Sequence, residues 1–455
     1  MFKKYQQIHF VGIGGIGMSG IAEVLLTLGH RVTGSDLKQS DTTKRLKRLG
    51  AKIFYGHARK NIDGAQVVVT SSAVKDDNPE VLEARRRAIV VVPRAEMLSE
   101  LMRLKYGIAV AGTHGKTSTT SLIGHALTKA GLDPTLIIGG KVKSIRSNAK
   151  LGRGEFLVAE ADESDRSFLK LSPTIGVITN IDPEHMENYK DFADVQRSYI
   201  EFANKVPFYG AVVACTAHPV VKKITQQITR TCITYGAPDA DYVAKNIEQC
   251  GGSMLFDAYC KGAKLGRVNL NMTGMHNVQN ALATIAVARH LDIPFAQIKK
   301  SLANFSGVKR RFEMLYKKGP IVVDDYAHHP VEIQATLSAA RAGWKKSRLV
   351  VVMQPHRYSR LCSLYEDFIR VLKEADAIVI MEVYSAGEKI NKAYTGEKLW
   401  KDVCKKYSKK MVAFAPTTEE VIATLLPWCR KQDLILFLGA GSITQTAKEF
   451  SKRLI

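Results

Sequence analysis

The run Gly112-Thr113-His114-Gly115-Lys116-Thr117-Ser118 directly follows the apolar stretch Ile108-Ala109-Val110-Ala111 and precedes a helix-like segment. This order constrains the chain more than any other feature. A buried strand that breaks at a glycine and restarts as a helix leaves backbone N–H groups and a helix N-terminus aimed at one spot, which makes an anion site. Lysine followed by a hydroxyl at that spot suits a nucleoside triphosphate: the ammonium reaches the β/γ oxygens and the hydroxyl binds Mg²⁺. The general loop pattern Gly-x-x-x-x-Gly-Lys-Ser/Thr would put a glycine where Val110 stands, so this is a compact version built on Gly112 and Gly115. Gly112, Thr113, His114, Gly115, Lys116, Thr117 and Ser118 are therefore expected to bind ATP.

A second glycine loop, Gly12-Ile13-Gly14-Gly15-Ile16-Gly17, lies between the strand-like Ile8 to Val11 and the helix-like Met18 to Leu28, and Asp36 closes the next strand. This is the dinucleotide fingerprint: glycines allow a tight turn and close approach to a diphosphate, and the acid can bond a ribose. These residues leave open whether the ligand is NAD or another diphosphate.

Strand-like apolar runs alternate with longer amphipathic stretches, which predicts βαβ units on parallel sheets and an α/β fold. The strands expected are Ile8 to Val11, Arg31 to Thr33, Val67 to Thr70, Ile108 to Ala111, Phe156 to Ala159, Ile175 to Thr179 and Ala211 to Ala214. Ile321 to Val323, Leu349 to Met353, Ala377 to Met381 and Leu434 to Leu438 complete the set. Several are apolar throughout, as strands covered on both faces should be. At 455 residues the chain is too long for one ordinary core. Boundaries are expected near 103–107 and near 306–309, giving domains 1–104, 105–307 and 308–455. The segment from about Thr231 to Asn271 reads as β-hairpin structure.

An apolar content of 45% and a charged content of 24% belong to a soluble globular chain. No apolar run reaches the roughly 18 residues that cross a bilayer, and the first residues lack a signal-peptide core, so a cytoplasmic protein without stable membrane insertion is expected. Seven scattered cysteines without a Cys-x-x-Cys argue against a disulfide framework or a zinc site. The net charge of +23 favours acidic partners, yet the basic residues are dispersed in short clusters separated by acids. No reading helix or aromatic platform for nucleic acid is recognisable.

Further polar clusters lie just past the carboxyl ends of apolar strands, where open parallel sheets bind ligands. Glu160-Ala161-Asp162-Glu163-Ser164-Asp165 can hold Mg²⁺ beside a phosphate loop, and His185, in Asn180-Ile181-Asp182-Pro183-Glu184-His185, is a second candidate metal ligand. Arg310-Arg311-Phe312 can clamp phosphoryl charge. Asp324 to Pro330 and Gln354 to Arg360 bring histidines and paired arginines suited to a carboxylate.

Taken with His276-Asn277-Val278-Gln279-Asn280, these motifs, in order along the whole chain, resemble the Mur ligases, ATP-dependent amide-bond formers of peptidoglycan synthesis. The likeness is greatest to their alanine-adding branch, because of Gln354-Pro355-His356-Arg357-Tyr358-Ser359-Arg360. The recycling ligase that attaches a whole tripeptide shares most of the motifs. The resemblance implies three domains: a Rossmann-like N-terminal domain for UDP, a central P-loop ATPase, and a Rossmann-like C-terminal domain for the amino acid. The substrates implied are UDP-N-acetylmuramate, L-alanine and ATP with Mg²⁺, acting on a monomer or homodimer.

By that likeness Gly12, Gly14, Gly15 and Gly17 hold the UDP diphosphate rather than NAD, and Met18, Ser19, Asp36, Ser71 and Ser72 complete the UDP-sugar site. Thr117, Glu160 and His185 are the metal ligands. His276, Asn277 and Asn280 approach the adenine, while Arg311 and Asp325 approach the nucleotide. Tyr326, His328, His356, Arg357 and Arg360 form the alanine pocket. Lys116, Arg311 and His328 are the catalytic candidates, His328 as the base for the amine. Two features depart from other Mur ligases: Glu184 stands where aspartate is more frequent, and Ser198-Tyr199-Ile200-Glu201 offers no lysine for carbamylation. A nicotinamide oxidoreductase would leave the Gly112 to Ser118 loop idle.

Overall fold

The computed structural model describes residues 5–71, 73–142 and 147–454. Three sheets follow one another along the chain. The first orders its strands Lys52–Tyr55, Arg31–Asp36, Gln7–Val11, Val67–Thr70 and Val90–Pro93, all parallel. Chain order reverses between Gln7–Val11 and Val67–Thr70, which opens a crevice at their carboxyl ends.

The second sheet runs Cys232–Tyr235, Ala211–Cys215, Ile175–Ile178, Tyr106–Ala111, Phe156–Glu160, Thr135–Val142 and Ser147–Lys150, with only the last pair antiparallel. Tyr242–Cys250, Ser253–Cys260 and Ala263–Leu270 continue it past Cys232–Tyr235, as the alternating pattern there predicts. The third sheet runs Glu313–Tyr316, Ile321–Asp325, Leu434–Leu438, Leu349–Met353, Ala377–Ile380 and Met411–Phe414, parallel apart from its first strand.

Every apolar run expected as a strand is one. Those not expected include the short, partly exposed edge strands Lys52–Tyr55, Val90–Pro93 and Met411–Phe414 and the interior strand Thr135–Val142. The edge strands are four residues each, and so short an apolar run cannot be told from part of a helix by periodicity.

By contacts the chain forms two compact units. The first takes in the chain up to Lys245 with Asp257–Val268 and Gln279–Ser306; the second takes in Asn246–Phe256, Asn269–Val278 and the chain from Gly307 on. The first two sheets share a unit because one apolar cluster is continuous from Ile8 and Leu25 through Ile137 and Ala149 to Phe202 and Ile224. Helix Ile16–Thr27 is the joint. Its Gly20 lets Ala149 and Ile137 come within ordinary contact of a Cβ position, and Asn148 Nδ2 donates to Ile16 O at 2.6 Å and to Ser19 Oγ at 3.3 Å.

In the third sheet successive residues bury on opposite faces. Val323, Val351 and Leu436 join one cluster while Val322, Val350 and Ile435 join another, the pattern of a sheet covered on both sides. All seven cysteines are free thiols. No helix among the described residues is long and apolar enough to cross a membrane.

Phe168 anchors the loop that follows Phe156–Glu160. It is fully buried, stacks on Phe202 with ring centres 5.3 Å apart and meets Tyr199 edge-on at 5.2 Å. Phe168→Ala is expected to lower the unfolding free energy of the central sheet's transition by about 3–5 kcal/mol, measured as a reduced urea midpoint at unchanged slope.

Candidate active site

The first glycine loop is built on the crevice of the first sheet. Gly12 adopts φ +78°, a conformation that costs other residues strain, and the N–H groups of Gly12 and Ile13 both donate to Ser35 O at 2.9 Å. Asp36 Oδ2 accepts from Gly14 N at 2.8 Å, so this acid braces the loop itself. Met18 and Ser19, expected at the sugar nucleotide, are each 2% exposed. Met18 packs in the core and Ser19 Oγ donates to Ile16 O, so their side chains turn away from the crevice and only their backbone can serve a ligand there. Ser71 is half-buried just past Val67–Thr70; Ser72 lies outside the described residues.

Beneath this loop is a polar cluster that no sequence motif marks. Ser35 Oγ donates to Glu80 Oε2 at 2.5 Å, Asn61 Nδ2 donates to Glu80 Oε1 at 2.6 Å, and His57 Nδ1 lies 3.0 Å from Ser35 Oγ. Burial works to raise the Glu80 pKa, but hydrogen bonds from His9, Ser35 and Asn61 hold it down at about 2. Its members are scattered from residue 9 to residue 80, so no local pattern marks them.

The phosphate loop joins Tyr106–Ala111 to helix Lys116–Lys129. Its shape is fixed by the residues after the neighbouring strand Ile175–Ile178. Thr179 Oγ1 donates to His114 O at 2.7 Å, Asn180 Nδ2 donates to the same carbonyl at 2.9 Å, and Asn180 Oδ1 accepts from His114 N at 2.7 Å. Thr113 Oγ1 accepts from Asp182 N at 2.8 Å. Gly112, at φ +142°, could carry no side chain: a Cβ would sit 1.9 Å from Thr179 Oγ1.

Lys116 lies folded across the loop. Its Nζ donates to Gly112 O at 2.5 Å, Thr113 O at 3.1 Å and Glu163 Oε1 at 2.8 Å. Burial opposes the ammonium, but the carboxylates of Glu163, Asp162 and Glu160 override it and raise the Lys116 pKa. Thr117 and Ser118 are buried at the start of the helix. Asn280, on helix Met275–His290, accepts from Thr119 Oγ1 at 3.0 Å, and its side-chain oxygen would lie 3.0 Å from a Cβ on Gly115. Asn280 therefore reaches the phosphate-loop helix.

Glu160 ends the strand Phe156–Glu160, in register with Val110 of Tyr106–Ala111. Its Oε1 accepts from Gly139 N at 2.6 Å. Mg²⁺ takes oxygen ligands, so the Thr117 hydroxyl and Glu160 carboxylate fit it. The nitrogen donor His185 fits less well, and its ring already stands 3.9 Å from Glu184 and 3.6 Å from Glu187 carboxylate oxygens.

The remaining expected residues belong to the second unit, those from Asp325 on at or just past the carboxyl ends of strands of the third sheet. His276 and Asn277 open helix Met275–His290, with Asn277 Nδ2 donating to Thr273 O at 2.7 Å. Asp325 accepts from Phe312 N at 2.7 Å and Ala327 N at 2.8 Å. Burial lifts its pKa to about 6, although Arg311 and these two amides pull the other way. Arg310 and Arg311 both cover the Tyr326 ring, at 4.7 and 5.3 Å.

Tyr326, His328 and His356 form a chain of aromatic contacts, 5.1 Å and then 5.5 Å between centres. His328 Nδ1 lies 3.0 Å from Tyr326 O and 3.1 Å from Glu332 Oε2. Burial, reinforced by the charges of His328, Arg360 and Arg357, pushes the His356 pKa down to about 4.

The sequence missed Tyr384, which stacks on His356 at 5.6 Å and 9° and whose carbonyl accepts from Arg357 N at 2.9 Å. Its only sequence signal is its place after Ala377 to Met381. Arg357 holds φ +68°, strain of a kind that gathers at functional sites. The structure thus brings all five expected alanine-pocket residues to one end of one sheet.

This chain, with its phosphate loop and acidic strand end in the second of three successive α/β sheets, is matched along its length by models of known families. Residues 7–106 match the Mur ligase family catalytic domain, 110–288 the Mur ligase middle domain, and 310–441 the Mur ligase glutamate ligase domain. The chain belongs to the Mur ligase family. It has the three-domain Mur ligase architecture.

Among curated relatives, the UDP-N-acetylmuramate–L-alanine ligase of Geobacter sulfurreducens is 51% identical, covering 100% of this chain and 99% of the relative. That of a Sulfurihydrogenibium species is 52% identical, covering 100% and 99%. Among solved structures, the UDP-N-acetylmuramate–alanine ligase of Thermotoga maritima superposes with a TM-score of 0.85 at 30% identity, covering 98% of this chain and 99% of that one. A murein peptide ligase from Psychrobacter arcticus, at 22% identity and a TM-score of 0.70, shares the fold.

The raised Asp325 pKa makes a stability prediction for this Mur ligase. A carboxyl at 3.8 when unfolded and about 6 when folded favours the folded state most when protonated. That contribution, on the order of 3 kcal/mol, is fully present below about pH 4 and is lost as pH rises through 6. Asp325→Asn should flatten this part of the stability–pH curve, measured by denaturant unfolding across pH 4 to 7.

Proposed function

We infer that this enzyme joins L-alanine to the lactyl carboxylate of UDP-N-acetylmuramate, with hydrolysis of ATP to ADP and phosphate, in peptidoglycan precursor synthesis. The carrying observation is the full-length identity of about half to curated ligases of that specificity, together with Lys116 set beside the acidic strand end. Residues 1–104 hold the UDP-sugar, 105–307 form the ATPase domain and 308–455 receive the amino acid. The reaction belongs in the cytoplasm.

A carboxylate has no leaving group, so the lactyl oxygen attacks the γ-phosphorus and ADP departs, leaving an acyl phosphate. The alanine amine then adds to the acyl carbon, the tetrahedral intermediate collapses to the amide, and phosphate leaves with the original carboxylate oxygen. Backbone N–H groups of Gly115 to Thr117, at the start of the helix, receive the β- and γ-phosphates, and Lys116 swings from Glu163 to offset the charge on the transferred group. Thr117 and Glu160 would hold Mg²⁺, which when bound neutralises charge developing on the phosphoryl oxygens.

Arg311 adds a second cation, held in place by the Tyr326 ring and the Asp325 carboxyl. Arg357 and Arg360 take the alanine carboxylate as planar forks. The neutral His356, stacked on Tyr384, walls the pocket against larger side chains. His328, with Nδ1 directed at the Tyr326 carbonyl, can take the amine proton at Nε2.

Lys116→Ala should retain UDP binding and the folded state but lose alanine-dependent phosphate release by at least about 100-fold. Release at the wild-type rate would overturn the assignment. Arg357→Ala should raise the KM for alanine by about 10-fold or more with the KM for ATP unchanged, checked by phosphate release at varied alanine. An unchanged alanine KM would remove Arg357 from the pocket.

A further inference from the structure

Gly17 and Arg94 account for each other. Gly17 is the second residue of helix Ile16–Thr27, where glycine lowers helix stability relative to alanine. A Cβ there would lie 3.0 Å from both Cδ and Nη1 of Arg94, tighter than side chains pack without displacement. Glycine at 17 therefore makes room for an arginine laid across the first turn of the glycine-loop helix.

Arg94 comes from a different strand, opening helix Arg94–Met102 just past Val90–Pro93. Its side chain is 20% exposed, and Nη2 donates to Asp162 Oδ2 at 3.1 Å. Asp162 is held in turn by Ser164, whose N and Oγ donate to its Oδ1 at 3.1 and 2.7 Å. It stands in the acidic loop whose next residue, Glu163, pairs with Lys116. The Nε and Nη1 donors of Arg94 have no hydrogen-bond partner among the described residues, and Nη1 is the atom nearest Gly17 along with Cδ.

We propose that Arg94 binds the diphosphate of the UDP-sugar through Nη1 and Nε while Asp162 holds its other edge. This rests on the reading of the first glycine loop as the UDP site. A guanidinium suits the task because its planar fork presents donors on two edges and can engage two anions at once. One side chain then ties the acceptor's handle to the loop beside the phosphoryl-transfer site. A plain ion pair between partly exposed groups would contribute little, and would require neither glycine at 17 nor open donors above it.

The test is calorimetric binding of UDP, uridine and ADP to the full-length wild type, Arg94→Ala and Arg94→Lys. Arg94→Ala should weaken UDP by about 10- to 100-fold, the range of charge-assisted hydrogen bonds, with uridine and ADP unchanged. Arg94→Lys, which keeps the charge but not the fork, should fall between, and it carries the test if the alanine variant does not fold. UDP affinity equal to wild type in both variants, or an equal loss for uridine and UDP, overturns the proposal. Failure of the wild type to bind UDP would instead overturn the reading of the glycine loop itself.

Discussion

The chemistry of this protein depends on one loop being held rigid from below. Seven residues, Gly112 to Ser118, can cradle phosphates only if their inward-facing polar groups are satisfied from below. Thr179 and Asn180 do this, taking both the N–H and the C=O of His114. They can do so because Ile175–Ile178 runs parallel to Tyr106–Ala111 in matching register, Ala111 against Ile178. The fully buried apolar strands set the loop's foundation, and the polar residues at their ends spend their hydrogen bonds on its shape. Gly112 is the steric consequence, since the space a side chain would need belongs to Thr179.

The same logic recurs in the other two sheets. Asp36 braces the first glycine loop through Gly14, and Asp325 braces the turn after Ile321–Asp325 through Phe312 and Ala327. In each case an acid expected to touch a ligand is first a scaffold for backbone amides. That double use explains why strand-end acids are so frequent here: a carboxylate that accepts two amides is fixed well enough to set the position of what lies beside it.

The parts of this architecture that are local in sequence were readable from it. Both glycine loops, the strand ends and the clusters Glu160 to Asp165 and Gln354 to Arg360 combine an apolar run with adjacent polar residues, so period and punctuation suffice. Features assembled from distant positions were not readable. Glu80 meets His9, Ser35 and Asn61 only once the first sheet forms, and Tyr384 meets His356 only across two strands. The burial of the Met18 and Ser19 side chains was not readable either, because proximity to a glycine loop does not say which way a helical side chain turns. Edge strands such as Lys52–Tyr55 escaped for another reason: a run of four residues is too short for its period to be read.

What unites these features is a reaction that needs three ligands held together and water kept out, since an acyl phosphate hydrolyses readily. The most direct test of this account uses UDP-N-acetylmuramate labelled with heavy oxygen in its lactyl carboxylate, incubated with the enzyme, ATP and L-alanine. Mass spectrometry of the released phosphate should find heavy oxygen transferred in step with amide formation. Amide formed alongside unlabelled phosphate would contradict activation of the carboxylate by phosphoryl transfer, and with it the role assigned to the Gly112 to Ser118 loop.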